Sequence, residues 1–210
     1  MLKSIAYDWF GLNAWLFSIL NNHQSGMLDT PLIILGRLVD YWNFPAYLML
    51  WFAIAWCLRT GGYGHRADEV GHVAWQFAIG FVLALVLTSA LKLGLDFPRP
   101  AIVFGVDAIR MLDEPEGRFS LPSGHATFVA LLVTVLWSST PWYGRIALLL
   151  IALGVGISRV WVGVHFPADV LAGYLCGAGS ALFAGRILGR MGRSIPSAPA
   201  SVSARTRVPD

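Results

Sequence analysis

The apolar positions of this chain gather into long runs separated by short polar stretches, and the length of each run sets the first expectations. Residues 43–58, NFPAYLMLWFAIAWCL, read as a membrane-crossing helix with room to extend toward the N-terminus. Residues 70–91 form the next span, followed at once by Lys92. Residues 124–138 and 145–164 come next, separated by STPWYGR, and residues 167–188 form the last. A hydrocarbon core needs about 20 helical residues, so the 124–138 run must borrow from its flanks to cross. In the last run Gly173, Gly177, Ala178, Gly179 and Ala181 predict close helix packing in lipid.

The N-terminal pattern is less regular. In residues 4–21 Trp9, Phe10, Leu12, Trp15, Leu16, Ile19 and Leu20 recur at helical spacing, interrupted by Asp8, Asn13 and Ser18. Two readings stand: an amphipathic helix lying in the interface, or a polar-tinged first span. Asn21 to Gly26 is a polar break, and residues 28–39 form an apolar helix too short to cross. Arg59 to Arg66 reads as a Gly-rich basic loop. The section from Asp96 to Pro122 carries Asp107, Arg110, Asp113, Glu114, Glu116 and Arg118, with prolines at 98, 100, 115 and 122. That length without periodicity predicts a functional loop or a short re-entrant helix. The expected fold is all-α: a polytopic membrane bundle of five to six transmembrane helices in a single domain, residues 1–190. Residues 191–210, rich in Ser, Ala, Pro and Arg, are expected to be a disordered cytoplasmic tail.

Composition agrees with the pattern. Of 210 residues 56% are hydrophobic and only 13% charged, against about 25% in soluble domains. A water-soluble core is excluded. The arginines form no continuous stripe, so nucleic acid is not expected as a partner. Cys57 and Cys176 both fall in apolar runs and are expected to be buried and unpaired. Neither has the Cys or His spacing of a metal site, and no metal or cofactor is expected. The first residues do not read as a signal peptide: Lys3 is the lone early base, and no small-residue cleavage site follows.

Charge placement sets orientation. The Arg59–Arg66 loop, Arg145, and the Arg186, Arg190 and Arg193 cluster are separated by pairs of spans, so all can face the cytoplasm together. Lys92, the 96–125 section and the 159–167 turn then share the opposite face.

Three polar pieces fall on that face. The first is Lys92 to Pro100, whose two cations, Lys92 and Arg99, could converge on one anion if the helix breaks near Pro98. They could equally complement a helix dipole. The second is Leu121 to His125, where a helix N-terminus offers backbone N–H groups, Gly124 permits close approach of an oxyanion, and Ser123 and His125 add polar groups. Simple capping by Ser123 would explain the serine but not the histidine. The third is Ser158 to Asp169. It holds Arg159 and His165, with Asp169 in the first turn of a helix that Pro167 opens, so that the carboxylate can reach back to the imidazole. A snorkelling Arg159–Asp169 pair is the bland alternative. Together these pieces surround two imidazoles with three bases, which suits a phosphate group.

Lys92, six residues, Arg99 and Pro100; Pro122-Ser123-Gly124-His125; and Ser158-Arg159, five residues, His165, three residues and Asp169 resemble the three signature motifs of the type 2 phosphatidic acid phosphatase (PAP2) and vanadium haloperoxidase superfamily. Every motif position matches, in order, over residues 92–169. The resemblance implies a PAP2-like core and metal-independent hydrolysis of a lipid phosphate or diphosphate. It implies His165 as nucleophile forming a phosphohistidine, Asp169 orienting it, and His125 as acid and then base. Lys92, Arg99, Ser123, Gly124 and Arg159 would bind phosphate. The layout is similar to small bacterial enzymes acting on undecaprenyl diphosphate, which would give undecaprenyl phosphate and phosphate. That places the expected active site on the periplasmic or outer face of a bacterial inner membrane. Phosphatidate or phosphatidylglycerophosphate is the alternative substrate, and a non-catalytic lipid-binding or flipping protein the rival class. The expected partners are a lipid phosphate entering from the bilayer and the membrane lipids, with no obligate protein partner. Phe97, Trp161 and Phe166 are expected to line the route of the lipid tail or to form an interfacial aromatic belt.

Overall fold

The structure, a computed structural model, describes residues 7–22, 26–114 and 117–193. Among these residues the chain forms α1 (Leu12–Asn22), α2 (Gly26–Leu38), α3 (Phe44–Thr60), α4 (Gly64–Leu95), α5 (Pro100–Phe104), α6 (Gly124–Leu136), α7 (Trp142–Trp161) and α8 (Pro167–Arg193). Three of them, α4, α7 and the Pro167–Met191 part of α8, are long and apolar enough to cross a bilayer. Two shorter apolar helices, α3 with 17 residues and α6 with 13, complete the bundle. The protein is an all-helical integral membrane protein, as the hydrophobic pattern predicts.

The two short helices behave in opposite ways. Helix α3 buries no residue fully: Phe44, Leu48 and Trp51 pack half-buried against the core, while Met49, Leu50, Phe52 and Trp56 face outward. Helix α6, GHATFVALLVTVL, buries nine. A helix that is apolar all round belongs inside a protein, and α6 is the axis of the bundle. Phe128 and Leu131 pack with Phe77 of α4 and Ala181 of α8 in the main core. Glycines bring α8 against α6: a Cβ on Gly177 would lie 2.0 Å from the Thr127 carbonyl oxygen, and one on Gly173 2.6 Å from that of Ser123. Gly179, expected in the same interface, instead faces outward with nothing near it. It lies two residues on from Gly177, about 200° around the helix.

Other expectations change at their edges. Helix α4 begins at Gly64, so His65 and Arg66 are helical and the Arg59–Arg66 loop contracts. Cys57 is exposed, because it sits on the outer face of α3, whereas Cys176 is buried; both are free. Helix α8 continues to Arg193, past the expected start of the tail, and residues 194–210 lie outside the described residues.

Helix α1 has 11 residues and spans about 16 Å, well short of a hydrocarbon core. The polar-tinged span is therefore excluded for its described part, while residues 4–6 lie outside the described residues. The helix is inverted relative to one on a water-soluble protein. It buries Asn13, Phe17 and Asn21, an i, i+4, i+8 stripe, and exposes Leu12, Trp15 and Ile19. Its polar stripe binds the backbone of the loops described next.

Candidate active site

The three motifs meet at one end of the bundle, and each is put there by a local helix boundary. Helix α4 ends because Asp96 takes left-handed backbone (φ 44°, ψ 56°) and Phe97 precedes a proline, which disfavours further helix. Lys92 lies in the last turn. The chain then pairs back on itself: Pro98 bridges Phe119, and Ser120 N–H donates to the Phe97 carbonyl at 2.9 Å. Buried Arg99 donates from Nε to Gly117 O at 2.7 Å and from Nη1 to Val164 O at 3.0 Å. It thus ties the long loop to the His165 turn.

Helix α6 opens after Pro122, with Ser123 as its extended N-cap residue. The Ser123 N–H donates to Asp169 O at 3.0 Å, joining the second motif to the third. Its hydroxyl makes no capping bond, and Oγ is buried without a hydrogen-bond partner among the described residues. An unsatisfied buried hydroxyl costs about 1–3 kcal/mol. Capping therefore does not account for Ser123; a hydroxyl held this way suits an incoming oxyanion.

Arg159, in the last turn of α7, is 2% exposed and points inward, so it does not snorkel and does not pair with Asp169. Its Nε donates to Ser158 Oγ at 3.2 Å and its Nη1 to Asp113 Oδ2 at 3.1 Å; Nη1 is also 3.5 Å from His125 Nε2. The guanidinium lies against Gly36 of α2, where a Cβ would come within 2.0 Å of Nη2. The chain then turns through Gly163 at φ +85°, and a side chain there would also collide with Arg110 O at 2.5 Å. Pro167 opens α8, and the reach-back follows as expected: His165 Nδ1 is 3.4 Å from Asp169 Oδ2.

Asp169 is fully buried and heavily hydrogen-bonded. Oδ1 accepts from Tyr7 Oη at 2.8 Å, and Oδ2 accepts from Ser120 Oγ at 2.5 Å and Phe166 N–H at 2.7 Å. Ser120 Oγ is also 3.4 Å from His165 Nδ1. The bond geometry puts the Nδ1 proton toward this group and leaves Nε2 for chemistry. Burial pushes the His165 imidazole down to about 4, against the raising pull of Asp169. His165 is therefore neutral at pH 7.

Arg99, His125, Arg159 and His165 line one cavity of about 150 Å³, with Arg37, Asp40, Asp113 and Glu114 completing its wall. Asp40 Oδ2 lies 3.7 Å from His125 Nε2. Lys92 and Gly124 line a neighbouring cavity of about 160 Å³ between α4 and α6, with Tyr41, Phe81, Leu85 and Phe128. The Lys92 charge still acts on both imidazoles. The predicted residues thus divide: four face one cavity, two the next, Asp169 stands behind His165, and Ser123 is buried at the head of α6.

The expected aromatic route and the alternative of an interfacial belt are both overturned for Trp161 and Phe166, while Phe97 is half-buried. Trp161 and Phe166 are each 4% exposed. Trp161 Nε1 donates to Asp29 Oδ1 at 2.8 Å, while Phe166 packs among Tyr7, Phe17 and Phe104. Tyr7 stacks on Phe97 with ring centroids 4.0 Å apart. These rings brace the His165 turn from within.

Sequence reasoning missed Tyr7, Ser120, Asp40 and Asp113. It also missed what Asn13 and Asn21 do. Asn13 Oδ1 accepts from Ala168 N–H at 2.9 Å. Asn21 Nδ2 donates to Trp161 O at 3.0 Å and Arg110 O at 2.7 Å, and its Oδ1 accepts from Arg110 N–H at 2.9 Å. Their eight-residue separation on a largely apolar helix, which puts them on one face with Phe17, was the available signal.

A model of the PAP2 superfamily matches residues 73–192. The chain is 32% identical over 171 residues to an undecaprenyl-diphosphatase of Sulfolobus acidocaldarius, covering 80% of this chain and 74% of that one. It is 36% identical over 196 residues to a lipid A 1-phosphatase of Rhizobium etli, covering 88% and 84%. Among solved structures, Aquifex aeolicus LpxE aligns with a TM-score of 0.69 at 26% identity, over 83% of this chain and 95% of that one. With the motif residues gathered at one end of a helical membrane bundle, the chain belongs to the PAP2 superfamily, in its membrane lipid-phosphatase branch.

Proposed function

We propose that this protein removes the terminal phosphate from a polyprenyl diphosphate, with undecaprenyl diphosphate the favoured substrate, at the extracytoplasmic face of a bacterial inner membrane. The observation that carries the reading is a buried His165, backed by Asp169, facing a cavity that also holds His125 and the guanidinium groups of Arg99 and Arg159. His165 Nε2 attacks the terminal phosphorus, and the P–O bond to the lipid phosphate breaks. His125 gives a proton to the leaving oxygen, then takes one from the water that cleaves the N–P bond. Arg99, Arg159, Lys92, the Ser123 hydroxyl and the N–H groups at the head of α6, including Gly124, hold the phosphoryl oxygens. No step calls for a metal, and the substrate comes from the bilayer without a protein partner. The apolar groove between α4 and α6 takes the first units of the lipid tail. It adjoins the site through Gly124 and Lys92.

Similarity to undecaprenyl-diphosphatase supports the diphosphate reading. Similarity to lipid A 1-phosphatase favours a second one, a glycolipid phosphate. Phosphate release measured in EDTA from undecaprenyl diphosphate, lipid A 1-phosphate, phosphatidate and phosphatidylglycerophosphate separates them. The expected result is a kcat/KM at least about tenfold higher for the diphosphate, roughly 1.4 kcal/mol of transition-state binding. A preference for lipid A would transfer the assignment to the second reading. Activity lost in EDTA and restored by magnesium would contradict the metal-free mechanism.

Asp113 holds the Arg159 Nη1 that the phosphoryl group would use. Its side chain is 35% exposed on the loop between α5 and α6. An anion must displace or neutralise that carboxylate, so Asp113→Asn is expected to tighten inhibition by vanadate, a phosphate mimic, by roughly three- to tenfold. Unchanged or weaker inhibition would show that Asp113 helps to hold Arg159 in place.

A further inference from the structure

Asp169 receives a bond from outside the three motifs and outside the segment that the family model matches. Tyr7 Oη donates to Asp169 Oδ1 at 2.8 Å, across 162 residues of sequence. Several observations show that this contact is built. The Tyr7 ring is fixed on Phe97 and against the edge of Phe166. Two and three residues on, Trp9 and Phe10 take left-handed backbone at φ 50° and 58°, a conformation that bulky side chains rarely accept. Strain of that kind persists only where the surroundings impose it. Here α1 is clamped at both ends: Asn13 to the backbone of Ala168 at the start of α8, Asn21 to that of Trp161 at the end of α7. The clamp spans the turn that carries His165.

We infer that Tyr7 is a positioning residue for the reaction: it fixes and partly discharges the Asp169 carboxylate, and through it sets the orientation and basicity of His165. This rests on the reading of His165 as the nucleophile. A carboxylate that already accepts from Tyr7, Ser120 and Phe166 has less negative density to give the imidazole. The carboxylate so held keeps a fixed line to Nδ1, and Asp169 still holds the Nδ1 proton while burial keeps His165 neutral. Burial and the adjacent carboxylate raise the Tyr7 hydroxyl, so it remains a donor throughout the working pH range. The other groups that bear on His165 are Lys92 of α4, Arg99 before α5, His125 of α6 and Arg159 of α7, with Arg37, Asp40, Asp113 and Glu114 across the cavity. All of these are unchanged in a Tyr7 variant, so a shift between variant and parent reports the Tyr7–Asp169 bond.

The sign follows. Removing the donor leaves Asp169 more negative toward His165, which favours the imidazolium. In Tyr7→Phe the ring stack on Phe97 survives and the hydroxyl is lost. The His165 titration, followed by NMR of [13Cε1]histidine-labelled protein and assigned by the signal missing in His165→Asn, is expected to move up by roughly half to one pH unit. At the same time kcat should fall by roughly tenfold, the loss of one hydrogen bond to a charged group, with KM unchanged. Tyr7→Leu removes ring and hydroxyl together and serves as the packing control. If Tyr7→Phe keeps both the parental titration and the parental kcat while Tyr7→Leu is impaired, Tyr7 is only packing and the inference fails, with the His165 mechanism intact. If instead His165→Ala retains turnover, the underlying mechanism fails first.

Discussion

His165→Ala is expected to abolish phosphate release, by roughly four orders of magnitude or more, as for other removed nucleophiles. The protein should still insert and fold. An imidazole 4% exposed among Arg99, Lys92 and Arg159 is kept neutral, down to about pH 4. The neutral ring is the nucleophilic form, so activity that depends on His165 is present above that pH and lost as pH falls through it. Asp169 raises the affinity of the ring for a proton and burial lowers it, with burial the larger effect. The same balance explains why the ring can still take a phosphoryl group: the cation that forms on phosphorylation is stabilised by the carboxylate behind Nδ1. The check is a turnover assay beside a gel-filtration profile and thermal unfolding in detergent. Near-parental turnover in a folded His165→Ala protein would remove the nucleophile from the account.

His125→Ala is expected to have the next largest effect, and its size should depend on the substrate. General acid–base catalysis contributes about 10²–10⁴ in rate. A lipid monophosphate leaves from a diphosphate as a weakly basic anion and needs little help from a proton. A lipid alkoxide leaving from a phosphomonoester needs a great deal. The variant should therefore phosphorylate His165 readily from a diphosphate but hydrolyse the intermediate slowly, because the second step lacks its base. The prediction is a burst of lipid monophosphate followed by slow turnover, and a far deeper loss with phosphatidate. Equal losses on both substrates without a burst would assign His125 to binding. Its Nε2, 3.5 Å from Arg159 Nη1 and 3.7 Å from Asp40 Oδ2, already lies where it can face a leaving oxygen held by Arg159.

The spans and the motif residues were legible because each rests on a local rule. Long apolar runs must be helices in lipid, Pro167 opens a helix, and four residues of helix bring Asp169 back to His165. Gly173 and Gly177 were legible as a small-residue stripe for the same reason, whereas Gly179, off that stripe, was not. What stayed hidden depends on contacts distant in sequence. Tyr7 meets Asp169 across 162 residues, and Arg110 pairs with Asp29 across 81. No spacing rule reports such contacts. The aromatic residues misled for a related reason. Trp161 and Phe166 stand beside the motifs in sequence, as belt residues would, but Asp29 and Phe17 offer them partners inside. From sequence Asn13 is a break in the apolar pattern and Asn21 the start of a polar stretch; in the structure both lie, with Phe17, on the buried side of α1.

The central claim is a phosphoryl group carried on His165. It is tested most directly by rapid quench of the His125→Ala protein with a lipid diphosphate labelled with 32P at its terminal phosphate, followed by proteolysis and peptide identification. The account predicts an acid-labile, alkali-stable label on the peptide containing His165, absent from the His125→Ala/His165→Ala double variant. No label during turnover, or a label that persists when His165 is removed, would contradict it.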